Sequence, residues 1–246
     1  MSYMEWRTAY LIMATISSGS LPLALVLLRS YKYTSSGKSR GTLNLSVLKN
    51  KSARIFMAGY TLHSAELYIV RVWLPAFLVA TLVHKGTPVA EAAITAATIG
   101  GLALGAGALG PVIGGILSDK YGRALSAAAI FGLSGLVSFT IGWTIELPMP
   151  IIIFLSVVYG WAIAADSAIY STAVTEVSQK QHLGSALAVH SFMGFTGGVI
   201  GPILIGSVLD LSGESIKWVV AFTATGLLSV IAISILSRAR YRMLVH

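Results

Sequence analysis

Residues 92–116 carry no ionisable side chain, and neither do residues 124–145. Between them stands one charged turn, Ser118-Asp119-Lys120-Tyr121-Gly122-Arg123, preceded by Gly115-Ile116-Leu117. A turn holding one acid and two bases must sit in water or in a polar interface, and the runs on either side must not. A membrane-spanning helix takes about 20 consecutive apolar residues. Two such runs joined by a polar turn are the signature of a helical hairpin that crosses a bilayer twice.

The rest of the chain repeats the pattern. Of its 246 residues, 11% are charged and 55% hydrophobic, and the mean hydropathy is +0.80. Soluble domains carry about 25% charged residues, so this chain cannot cover itself with polar surface. The fold class it predicts is all-α: a polytopic transmembrane bundle of about seven spans. The spans fall at residues 8–28, 55–83, 89–117, 124–145, 150–174, 183–209 and 217–236. Pro22 is expected to kink the first. Thr87 is placed to cap the third, with Pro88 at its first position and Glu91 near its positive end. Residues 29–51, rich in Ser, Gly and Lys, form a basic linker. The domain division is therefore a single helix (1–28), a linker (29–51) and a six-helix unit (52–246).

Basic residues orient the bundle. One side collects the linker bases together with Lys49, Lys51, Arg54, Lys120, Arg123, Lys180 and the C-terminal Arg238, Arg240 and Arg242; the other holds Arg7, Lys85 and Lys217. Basic loops stay cytoplasmic. This predicts an integral protein of the cell or plasma membrane with its N-terminus outside, its C-terminus in the cytoplasm and the Asp119 turn cytoplasmic. The formal charge of +8 is accounted for by these loops, with no nucleic-acid partner implied. The absence of cysteine rules out disulfides and thiolate metal sites. No phosphate-binding loop or metal-spaced histidine cluster is present, so neither cofactor nor metal is expected.

Gly115-x-Leu117-Ser118-Asp119-Lys120-x-Gly122-Arg123 resembles the cytoplasmic loop signature of the major facilitator superfamily, which joins the second and third helices of each six-helix half. It stands in the matching place here, although Ala124 occupies a position where the family usually has another base. Gly201-Pro202 in the sixth span is similar to that family's helix-packing glycine-proline pattern. The layout resembles the last helix of a first half, a linker and an entire second half. The resemblance implies a transporter of a small solute working by alternating access, secondary active and coupled to protons or another ion. It also implies a need for a first half, supplied by upstream sequence, another subunit or a second copy.

Within that reading the ionisable residues inside spans are candidates for the path of solute and ion: His63, Glu66, Arg71, Asp166 and His190. An unpaired carboxylate at Asp166 would favour its protonated form, which suits a proton carrier. Glu66 is expected to pair with His63, three residues back, or with a group on another helix. Gly115, Asp119, Lys120, Gly122 and Arg123 are the gating-loop candidates, with Asp119 and Arg123 four apart and able to pair. Gly101 with Gly105, Gly110 with Gly114, and Gly194 with Gly198 follow the small-xxx-small spacing of close helix contacts; Gly201 and Pro202 are helix-packing candidates by the resemblance alone. Two other readings stand beside this one. One is an assembly subunit that transports nothing. The other is an intramembrane serine protease, from the short Gly132-Leu133-Ser134-Gly135 pattern with His190 as base to a Ser134 nucleophile. The transport reading makes the chain no enzyme.

Overall fold

The computed structural model describes residues 6–29 and 43–244, with side chains at 7–29 and 43–238. Lys32, Lys38 and Arg40 of the linker lie outside the described residues, as do the side chains of Arg240 and Arg242. Every described element is helical, and seven helical segments are long and apolar enough to cross a membrane. The chain divides into two compact units, residues 1–41 and 42–246.

In the first unit, helix α1 (Trp6–Arg29) runs through Pro22, and almost all its side chains are exposed. The second unit opens on a short 3-10 turn, Leu45–Lys49, held by two asparagines. The Asn44 side chain accepts from the Ser46 amide. The Asn50 side chain accepts from the amides of Ser52 and Ala53, opening α2 (Lys51–His84). Asn50 also donates to the Val177 carbonyl at 2.7 Å, and the Ser185 hydroxyl receives the Asn44 amide at 3.0 Å. The end of the basic linker is thereby ordered against the bundle.

Two of the spans are interrupted. The first is α3 (Val89–Gly107) followed by α4 (Gly110–Tyr121). Pro111 lacks the N–H that would reach the Gly107 carbonyl, and its ring crowds that carbonyl. The chain tightens accordingly, with the Ala108 amide donating to Gly105 at 3.1 Å and Leu109 to Ala106 at 3.3 Å. The second is α6 (Met149–Ala165) followed by α7 (Ser167–Val177), broken at Asp166, whose φ of −94° and ψ of −1° lie in the sparsely used bridge region. The uninterrupted spans are α2, α5 (Arg123–Ile141), α8 (Leu183–Leu211) and α9 (Lys217–Leu244).

Glycines set how closely these helices approach. On α8, a Cβ at Gly194 would enter the Tyr60 ring, one at Gly197 the Thr61 carbonyl, and one at Gly198 would stand 2.6 Å from Tyr68, so α8 lies flush on α2. Gly201 continues that face against Ala65. The two interrupted spans cross at their breaks: Gly107 meets the Gly160 carbonyl, and Gly110 and Gly114 meet the backbone of Ala165. Gly101 and Gly105 face open space on α3. Gly135 of α5 and Gly142 at its C-terminal end meet Ser229 and Trp218 of α9.

Candidate functional site

The two larger apolar clusters of the six-helix unit lie around Phe56, Met57, Phe131 and Tyr170 and around Leu74, Phe77, Leu78 and Phe222. On α2, residues 63–66 lie between them. His63 and Glu66 are both almost wholly buried there, as is Asp166 at the α6–α7 break. A layer of ionisable groups thus separates two greasy ones.

The groups in this layer bond in a fixed order. His63 Nδ1 meets Asp166 Oδ1 at 2.8 Å, and His63 Nε2 meets the Ser167 hydroxyl at 3.2 Å. Asp166 Oδ2 accepts from the Tyr170 hydroxyl at 2.9 Å. Glu66 stands one turn along α2. Its Oε2 accepts from Ser134 of α5 at 3.1 Å, while Oε1 has no hydrogen-bond partner. The buried Tyr159 hydroxyl faces Glu66 without reaching hydrogen-bond geometry. His190 of α8 is buried against Tyr60, with ring centroids 3.9 Å apart, and its Nδ1 is unpartnered. Tyr60 in turn stacks on His63 at 5.7 Å. Among the described residues, no lysine or arginine pairs with either buried carboxylate.

At the α4–α5 end, a second set forms around Arg123. Its guanidinium bonds Asp119 on the preceding turn and forks onto Glu176 of α7, with Nη2 to Oε1 at 2.6 Å and Nε to Oε2 at 3.2 Å. Nη1 also reaches the Ser118 hydroxyl at 2.6 Å. Gly122 makes the turn possible, because its φ of +89° is one that other L-residues rarely adopt. Lys120 lies over the Tyr121 ring at 5.1 Å, and Gly115 faces open space.

A family model described as the Major Facilitator Superfamily matches residues 56–243, which include both sets. The chain belongs to the major facilitator superfamily. No curated protein matches it closely enough to stand as a relative. As a facilitator-superfamily chain with seven membrane-length helices, it is an integral membrane protein of a transporter family.

In this facilitator chain the sequence-predicted residues divide among three places. His63, Glu66, Asp166 and His190 share the buried layer. Asp119 and Arg123 share the charged corner. Arg71 belongs to neither: it is exposed, on the wall of a groove between α2, α3, α4 and α6, with its guanidinium 5.5 Å from the Tyr68 ring centroid. The pairing inside the layer is His63 with Asp166, and Glu66 takes a hydroxyl on another helix. The Ser134 hydroxyl has one proton for two acceptors within reach, Glu66 at 3.1 Å and the Phe131 carbonyl at 3.3 Å, while His190 packs on Tyr60. Sequence reasoning missed Glu176, Ser167 and Tyr60. A usable signal existed only for Glu176, a carboxylate two residues before a polar turn on the same side as Arg123.

Proposed function

We propose that the chain forms one half of a secondary active transporter that moves a small solute by alternating access, with proton coupling through the buried layer. The observation that carries this is the pair of carboxylates, Glu66 and Asp166, buried inside membrane-length helices, with His63 bonded to Asp166. Burying a charge away from water is costly unless it is paired. With His190 uncharged, the layer reaches neutrality when His63 and Asp166 ionise together and Glu66 holds a proton. Ser167, which bonds His63, also lines the groove, so the layer has a hydroxyl at the wall of an open space. The other titratable groups facing it are His190, Tyr60, Tyr159 and Tyr170.

In this reading the Asp119–Arg123–Glu176 corner ties α4, α5 and α7 together at the cytoplasmic end in one conformation. The other wall of the path comes from a first half or a second copy. The N-terminus lies outside and the C-terminus in the cytoplasm.

The absence of native cysteine makes the test clean. Leu104, exposed and on the groove wall, is replaced by cysteine, and a membrane-impermeant thiol reagent is applied to right-side-out and inside-out vesicles. Alternating access predicts labelling from both sides. Labelling from one side only, or only by a lipid-soluble reagent, would sink the path.

A further inference from the structure

We propose that the groove carrying Arg71 binds a small, singly charged organic carboxylate with an apolar body. This names a solute class for the path proposed above and rests on that reading. The groove has a volume of about 250 Å³. Its walls include Leu67, Leu74, Ala103, Leu104, Pro111 and Ile163, and among the described residues Arg71 and Ser167 are its only polar side chains.

Arg71 is a poor structural residue where it stands. Among the described residues no carboxylate lies within ion-pair reach of it. It is nearer the C-terminal end of α2 than the start, yet its guanidinium leans back over Tyr68, one turn toward the helix middle. It therefore does not extend toward the nearer end of the helix, as a snorkelling side chain would. A charged group deep in a span faces a cavity or a partner in preference to lipid. The guanidinium fork fits a carboxylate through two parallel hydrogen bonds. One cation balances one negative charge; a polyanion would leave excess charge against apolar walls, and an amine or a neutral solute would leave the guanidinium unpaired. Apart from the Ser167 hydroxyl, which lies 3.2 Å from His63 Nε2, the rest of the ligand meets hydrocarbon.

The test is equilibrium binding of radiolabelled benzoate to the purified full chain in a neutral detergent. Binding is expected to be saturable and weakened at least tenfold in Arg71→Gln. Leu104→Trp, which fills the groove and leaves the cation in place, is expected to weaken it similarly. Benzylamine and benzyl alcohol are expected not to compete. No saturable benzoate binding to the unmodified chain overturns the proposal, even if phosphatidylglycerol binds in an Arg71-dependent way, which would make the site one for a lipid headgroup. Unchanged binding in both variants, or equal competition by benzyl alcohol, also overturns it. Cysteine labelling from both membrane faces without benzoate binding would discard the anion alone. Benzoate binding with labelling from one face would discard the transport path and leave the anion site.

Discussion

His63 has two ring nitrogens, and both are engaged: Nδ1 by Asp166 and Nε2 by Ser167. Asp166 likewise uses both oxygens, the second taking the Tyr170 hydroxyl. Removing one member of such a buried pair strands the other, at a cost of about 3–5 kcal/mol. Asp166→Ala is therefore expected to destabilise the protein by about that amount, with His63→Ala in the same background adding less than it does alone. A double-mutant cycle on thermal unfolding in detergent should give a coupling above about 1 kcal/mol. Strict additivity would show that the two side chains do not act as a pair. Glu66, whose one oxygen bonds Ser134 and whose other bonds nothing, is a different case. A buried acid left half-satisfied is a poor choice for holding helices together and a reasonable one for taking up and releasing a proton.

At the scale of helices, closeness of approach decides the effect of a methyl group. An added Cβ at Gly114 would run into the Ala165 carbonyl, which is backbone and cannot swing aside; one at Gly101 would meet nothing. Gly114→Ala is expected to cost more than about 2 kcal/mol through overpacking. Gly101→Ala is expected to be neutral, or stabilising by up to about 1 kcal/mol, because alanine suits a helix interior better. Unfolding midpoints of the two variants check both. An equal loss at Gly101 would mean that α3 is covered by another chain or another copy. The same contrast shows what was legible beforehand. The spacing of Gly101 and Gly105 is identical to that of Gly110 and Gly114, and spacing alone does not say which helix face has a neighbour. The break at Asp166 had no proline or glycine to announce it. The break after Gly107 had both, but in a chain with 25 glycines such a cue is common.

For the whole molecule, the spans were readable because charge is so scarce. A run such as 124–145 can be only one thing, and Arg123 marks where it starts. What joins the spans was not readable: His63 and Asp166 are far apart in the chain, and only the folded bundle brings them together. The distribution of basic residues gives a prediction at this scale. Gln179→Cys and Gly213→Cys, both at exposed turns, are expected to be labelled from opposite faces of the membrane, Gln179→Cys from the cytoplasmic side and Gly213→Cys from outside. Labelling of both from the same face would break the seven-span topology.

The crossing of the two interrupted spans has a mechanical consequence. Each is a jointed rod, and one joint bears on the other rod: Gly110 meets Ala165, beside the Asp166 break, and Gly107 meets Gly160, within α6. With these contacts in place, neither rod can flex there without pressing on its neighbour. A tilt begun at the Arg123 corner, where α4 and α7 are tied by salt bridges, would reach the opposite end of the bundle through both rods at once.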